Sequence, residues 1–281
     1  MPELPEVEIT SRLIGAAVTG ARIESVLTPG INALKTFDPP TSQLEGKTIL
    51  GLRRRGKLFL IELEDGLTIL IHLMSAGRLQ LFDTRASLRD RTSRILIGLD
   101  DGRELRLREF GTKQRAWMKL LRSDAVDGEE TLAALGPDAW PDPPEFGPLL
   151  AQPRPLYALL RDQHVIAGIG RSWVDEILHA AKLSPFKRGS DLDPDEAAGL
   201  RATTIARLGE VIAHYEQAVS LPIKDKVPMP LTVHRRNGEP CPRCGDQLEA
   251  VFYEDYVMCY CPKCQTEGKL MKDRRLSRLL K

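Results

Sequence analysis

The chain has 281 residues, enough for two or three domains with cores of their own. Hydrophobic residues make up 42% and charged residues 28%, ordinary for a soluble globular protein, and the net charge of +1 by itself indicates no nucleic-acid partner. No run of about 18 apolar residues occurs, which excludes a membrane-spanning helix, and the acidic start with Glu3, Glu6 and Glu8 is the opposite of a signal peptide, so a cytosolic protein is expected.

Residues 5 to 18 read as a helix: Pro5 suits a first turn, Val7, Leu13, Ile14 and Val18 approximate one face, and Gly20 stops it. Strand-like runs follow at 22–28, 48–54, 58–63, 67–73, 78–82, 94–99, 104–108 and 116–121. Asp65-Gly66 and Asp101-Gly102 are hairpin turns between them. Many short strands without helical alternation indicate a β-sandwich or barrel. The stretch 137–155 holds seven prolines and reads as an interdomain linker. Helical periodicity then appears over 155–163 and 172–182, joined through Gly168 and Gly170. A longer helix starts at Asp193, an N-cap followed by Pro194 and Glu196. Its apolar face is Leu200, Thr204, Leu208, Val211, Ile212 and Tyr215. Pro222, Pro228 and Pro230 mark another loop before the last segment.

All five cysteines lie between 241 and 264. Cys241 and Cys244 are two residues apart, as are Cys261 and Cys264, and sixteen residues separate the pairs. Two such knuckles close a four-thiolate zinc site, structural because no coordination position stays open. Cys259 reads as a strand residue beside it; the alternative, that it replaces Cys261, breaks the two-residue gap. Two basic clusters stand out, one at Arg53, Arg54, Arg55 and Lys57, the other at Lys269, Lys272, Arg274, Arg275, Arg278 and Lys281. Each is either a solvated face or a contact for a polyanion.

The first residues support two readings as well. Pro and Glu favour the first turn of any helix. Removal of Met1 would also free the secondary amine of Pro2, whose class has a reference pKa of about 8 and is partly neutral near pH 7. Such an amine attacks a sugar carbon to give an iminium, and Glu3 and Glu6 are close enough in sequence to move protons.

Taken together, Met1 to Glu8, Arg54-Arg55-Gly56-Lys57, Ile71-His72-Leu73, Leu135-Gly136-Pro137, Ala167-Gly168-Ile169-Gly170, and Gly238 through Gln265 resemble the formamidopyrimidine-DNA glycosylase/endonuclease VIII family, as a divergent bacterial-type member. The resemblance implies an α+β multidomain fold. An N-terminal β-sandwich with an N-terminal helix would occupy 1–136, and a Pro-rich linker 137–154. A helix-two-turn-helix DNA-binding domain would occupy 155–230, and a zinc-ribbon β-hairpin with a basic tail 231–281. It implies a monomer that binds double-stranded DNA containing a damaged or abasic site, at the nucleoid of the cytoplasm, with one structural zinc ion on Cys241, Cys244, Cys261 and Cys264. The activity implied is that of a glycosylase with abasic-site lyase activity, acting on a flipped-out, damaged and typically oxidised base through a Pro2 iminium and β,δ-elimination. Glu3 would be the general acid/base and Glu6 its supporting carboxylate. Lys57 would contact phosphate, with Arg55 beside it. Gly168 and Gly170 would shape the DNA-facing turn, while His72 reads as a structural histidine.

Four departures from the family pattern are visible. Arg171 stands where Asn usually follows the Gly-x-Gly turn. Tyr256 stands where the zinc hairpin usually carries Arg, and Arg171 is a candidate to compensate. The intercalating loops are altered: Met74 in Met74-Ser75-Ala76-Gly77 is one candidate wedge. Phe110, in Arg108-Glu109-Phe110-Gly111, is another, or else a core phenylalanine. Lastly, the stretch from Lys224 to Cys241 is short, which argues against 8-oxoguanine as the best substrate. Two other functions are compatible with parts of the sequence: a noncatalytic DNA-damage binder on the same scaffold, and a zinc-ribbon module for RNA or protein. The second leaves the N-terminus unexplained.

Overall fold

The structure, a computed structural model, describes residues 2–87, 90–111 and 113–271. The tail from Lys272 to Lys281 and Met1 lie outside the described residues. Contacts divide the chain into two compact units, Met1–Ala134 with Ile212–Pro228, and Leu135–Val211 with Met229–Lys281. No described helix is long and apolar enough to cross a membrane.

Unit 1 begins with α1 (Leu4–Val18) and continues through β1 (Ile23–Leu27), β2 (Ile49–Arg55), β3 (Leu58–Leu63), β4 (Leu67–His72), β5 (Gly77–Phe82), β6 (Ser93–Leu99), β7 (Glu104–Glu109), β8 (Trp117–Arg122) and the short α2 (Glu130–Ala133). The eight strand-like runs of the sequence all form strands, displaced by no more than a residue at either end. They build two antiparallel sheets, ordered β1-β6-β7-β5 and β2-β3-β4-β8. Asp65 and Gly66 both take positive φ, 57° and 66°, which matches the turn to the twist of β3 and β4.

Alternate residues of both sheets meet in one core: Phe59, Ile61 and Leu63 of β3 and Ile69 and Ile71 of β4 with Leu79 and Leu81 of β5, Ile95 and Ile97 of β6, and Leu105 and Leu107 of β7. This is the sandwich expected from period-two patterning. Val7, Ile14 and Val18 of α1 join that core. The helix lies close against β2 at Gly15, where a Cβ would come within 3.3 Å of the Leu52 carbonyl oxygen. The segment 212–228 also belongs here: Ile223 is part of the core, and its carbonyl accepts from Gln80 Nε2 of β5 at 2.6 Å.

Unit 2 holds α3 (Phe146–Leu150), α4 (Leu156–Arg161), α5 (Arg171–Ala180), most of α6 (Pro194–Ala218), β9 (Glu249–Phe252), β10 (Val257–Tyr260) and α7 (Pro262–Gln265). The Pro-rich stretch expected as a linker packs inside this unit. Ala139, Phe146 and Leu150 are fully buried, Ala139 N–H donates to the Ala167 carbonyl, and Arg201 binds the Pro143 carbonyl and Asp142. Proline removes backbone donors and holds the chain extended, but neither effect prevents packing. The start of α6 is a reciprocal capping box, with Glu196 N–H on Asp193 Oδ1 (2.8 Å) and Asp193 N–H on Glu196 Oε2 (3.1 Å). All six residues of its expected apolar face are buried.

Candidate active site and zinc centre

The first turn of α1 is organised by carboxylates. Glu3 is 2% exposed and Glu6 7%. The Glu3 backbone N–H donates to Glu6 Oε2 at 2.9 Å, and the Tyr215 hydroxyl donates to Glu6 Oε1 at 2.8 Å. Both Glu6 oxygens thus accept, the role of an ionised carboxylate. Burial, with Glu6 and Glu3 beside it, pushes the Tyr215 hydroxyl far above the usual tyrosine range, so it remains a donor. Pro2, half-buried, directly precedes this pair. Arg78 of β5 feels the charge of Glu6, and its guanidinium is anchored on the Asp225 carbonyl (2.6 Å) and the Gly77 carbonyl (2.6 Å). Neither Tyr215 nor Arg78 carries a sequence signal of a site residue; Tyr215 is one position on an apolar helix face.

Helix α1 is tied to the β2–β3 hairpin by an alternating chain of charge: Glu216 with Arg12, Arg12 with Glu8 (2.6 Å), Glu8 with Arg54 (2.6 Å). Arg54 continues to the Gly56 carbonyl. Gly56 turns the hairpin at φ 57°, and Arg55 and Lys57 flank it, both half-buried. Lys57 is near enough to His72 to help depress its pKa; burial is the larger cause, and together they bring it to about 4. His72 is therefore neutral at pH 7, stacked on Trp117 (centroids 5.6 Å apart), with Nδ1 accepting the Met74 N–H at 3.1 Å. Met74 itself has φ 51°, a left-handed conformation rare outside glycine. Gly77 closes the same loop, where a Cβ would stand 2.3 Å from the Leu73 carbonyl oxygen. Phe110 is only half-buried, and its N–H donates to the Ala76 carbonyl, so the two candidate wedge loops are neighbours. Glu109, 1% exposed, pins the second loop by accepting from Arg115 N–H (2.8 Å) and Ala116 N–H (2.9 Å).

In unit 2 the turn before α5 is locked by Gln163. Its Nε2 donates to the Ile169 carbonyl (2.8 Å) and its Oε1 accepts from Gly168 N–H (2.9 Å), with Gly168 at φ 107°. Gly170 is the N-cap of α5, in extended backbone. Arg171 pairs with Asp255 at the tip of the β9–β10 hairpin (2.5 Å) and lies 5.3 Å from the Tyr256 ring centroid. The two positions that depart from the family pattern are thus brought together.

The four cysteines Cys241, Cys244, Cys261 and Cys264 converge, all Sγ atoms within 4.8 Å of one another, with Cys244–Cys261 at 3.5 Å and Cys241–Cys264 at 4.0 Å. A zinc tetrahedron with Zn–S near 2.3 Å has sulfur–sulfur edges of about 3.8 Å, so the donor set fits zinc. The Asp246 N–H lowers the Cys244 thiol to about 7, toward the thiolate a metal needs. His179 Nε2 lies 3.2 Å from Cys241 Sγ, and Arg243 caps the end of α5 through the His179 and Ala180 carbonyls. Cys259 stands apart on β10: its sulfur accepts the Arg235 N–H at 3.2 Å, and burial pushes its thiol up to about 11. Bound zinc supplies folding energy to the small ribbon core of Val233, Leu248 and the cysteines.

Asp175 and Glu176 of α5 anchor this ribbon, a function that no spacing in the sequence signals. Glu176 accepts three consecutive backbone N–H groups, from Thr232, Val233 and His234, at 2.8–3.0 Å. Asp175 Oδ2 faces His234 Nδ1 at 2.6 Å and accepts the Cys259 N–H. Complete burial pushes Asp175 up to about 7.

Comparison with known proteins finds one family over most of the chain. The profile of the formamidopyrimidine-DNA glycosylase N-terminal domain matches residues 1–113. A formamidopyrimidine-DNA glycosylase of Geobacillus kaustophilus is 33% identical, covering 94% of this chain and 100% of its own length. One of Roseiflexus sp. is 31% identical, covering 94% and 100%. Among solved structures, Lactococcus lactis Fpg bound to DNA containing N7-benzyl-Fapy-dG superposes with a TM-score of 0.84 at 26% identity, covering 94% of this chain and 100% of that one. Its complex with abasic-site DNA gives 0.83 at 25%, covering 94% and 99%. With full-length relatives at this identity, the same fold and a four-cysteine zinc centre, the chain belongs to the formamidopyrimidine-DNA glycosylase family of DNA-repair glycosylases and abasic-site lyases.

Proposed function

We propose that Pro2, freed as the amino terminus by loss of Met1, is the nucleophile of this chain's base-excision reaction. The observation that carries the reading is the carboxylate pair beside it: Glu3 buried, and Glu6 fixed by the Glu3 N–H and the Tyr215 hydroxyl. The neutral Pro2 amine attacks C1′ of the damaged nucleotide. The glycosidic bond breaks with its electron pair on the base, which takes up a proton. Loss of the amine proton and opening of the sugar ring leave the N=C1′ iminium, with the proton for O4′ coming from Glu3. Abstraction of a C2′ proton expels the 3′-phosphate, and a second elimination expels the 5′-phosphate. Glu6 acts as a positioning residue, keeping the backbone of Glu3 in place. Lys57 binds a phosphate and Arg55 reinforces the local positive potential. Met74 and Phe110, on adjoining loops, are the candidates to fill the space left by a flipped base.

The substrate is double-stranded DNA with an abasic site or an oxidised base, met by a monomer at the nucleoid in the cytoplasm. The segment after α6 supports a preference for abasic sites and oxidised pyrimidines over 8-oxoguanine. Its Ile223 carbonyl is bound by Gln80, and Asp225 by Arg78 and Arg108 (3.0 Å), so it is pinned to β5 and β7 instead of forming a long cap. Analysis of strand ends tests the proposal. Duplex DNA with one abasic site should yield a gap carrying phosphate at both termini; an intact strand, or a single hydrolytic cut, contradicts it.

A further inference from the structure

The tip of the β9–β10 hairpin carries an aromatic platform loaded with two cations. Tyr253 and Tyr256 stack with centroids 4.3 Å apart, and Tyr256 lies parallel to Tyr157 at 5.7 Å. The guanidinium carbon of Arg161, the last residue of α4, sits 4.1 Å from the Tyr256 centroid and 5.4 Å from that of Tyr157. Arg171 approaches the same Tyr256 ring at 5.3 Å.

The two arginines differ in how their charge is met. Arg171 is engaged: it donates to the Asp255 carbonyl and pairs with the Asp255 carboxylate. Arg161 has ring contacts but no carboxylate within ion-pair distance among the described residues. Its Nη1 is buried without a hydrogen-bond partner, and so is the Tyr157 hydroxyl beside it. A half-buried guanidinium with an unsatisfied donor is costly in a folded chain. Contact with the rings lowers that cost only in part, through cation–π attraction, while it confines the guanidinium to this spot. The residue as a whole is only half-buried, so its confined, unneutralised charge is available to a phosphate at the surface.

We propose that Arg161 is a DNA-backbone phosphate contact, held against Tyr256, while Arg171 holds the hairpin tip through Asp255. The proposal rests on the DNA-binding reading above. It gives Tyr256 a definite task, that of a platform for a cation supplied by a different element of the same unit.

The test is a salt titration of affinity for a duplex carrying a stable abasic-site analogue, with full-length zinc-loaded protein. Arg161→Met keeps the apolar stem against the rings and removes the charge. It should weaken binding about tenfold at 0.1 M salt and reduce the slope of log K against log salt by about one. Arg161→Lys keeps the charge and loses the planar fork; it should keep the wild-type slope and still bind more weakly. A folded Arg161→Met protein with the wild-type slope overturns the proposal. If that variant does not fold, Arg161→Lys decides, and wild-type affinity in it overturns the role of the fork. Failure of the wild-type protein to bind the duplex at all would instead overturn the DNA reading on which this rests.

Discussion

Glu6 shows how much of this site is held by single hydrogen bonds. Its two oxygens accept from donors at very different distances along the sequence, Glu3 N–H three residues away and Tyr215 O–H 209 residues away. The first contact, a capping-box bond within one turn, could be anticipated only as far as the closeness of Glu3 and Glu6 in sequence. The second could not, since a tyrosine on an apolar helix face reads as core and only the tertiary fold gives its hydroxyl a partner. Tyr215→Phe keeps the buried ring and removes that donor. Net stability should change by about 1 kcal/mol. Single-turnover excision should slow by about tenfold, equivalent to about 1.4 kcal/mol in the barrier, with DNA affinity unchanged. An unaltered excision rate would show that Glu6 needs no second donor.

At the scale of elements, β4 and the loop after it couple protonation to loop shape. His72 has its pKa depressed to about 4, first by burial and then by Lys57. A histidine depressed in this way binds its proton less tightly folded than unfolded. Its stability contribution is therefore complete above about pH 6.5 and is lost as the pH falls through 6.5 toward 4, by up to roughly 3 kcal/mol. Protonation also removes Nδ1 as the acceptor for Met74 N–H, which frees the strained loop. Thermal melts at stepped pH should show wild-type protein losing more stability over this window than His72→Asn; parallel curves would contradict the assignment. The strands and α1 were legible because period-two patterning, Asp-Gly turns and Pro5 act locally. The Pro-rich stretch misled for a physical reason. Proline marks missing donors and extended backbone, and both are equally compatible with a linker and with the packed segment that buries Phe146 and Leu150. The engagement of Arg171 with Asp255 was hidden for another: it depends on where the hairpin tip lies, 84 residues along the chain.

At the scale of the whole molecule, the chain combines a sandwich unit carrying Pro2, Glu3 and Glu6 with a helical and ribbon unit organised around zinc. The four-cysteine spacing was readable in full, because metal coordination imposes it on the sequence itself. The anchors of that ribbon, Asp175 and Glu176, were not, since buried carboxylates serving backbone N–H groups leave no spacing rule. The proposed function turns on the amine of Pro2 forming the covalent bond to DNA. Borohydride trapping tests it most directly: the protein is incubated with duplex DNA containing an abasic site, reduced, digested, and the cross-linked peptide located by mass. The expected result is an adduct on Pro2 that Pro2→Gly greatly diminishes. Tight DNA binding without an adduct, or an adduct carried by a lysine and undiminished in Pro2→Gly, would contradict it.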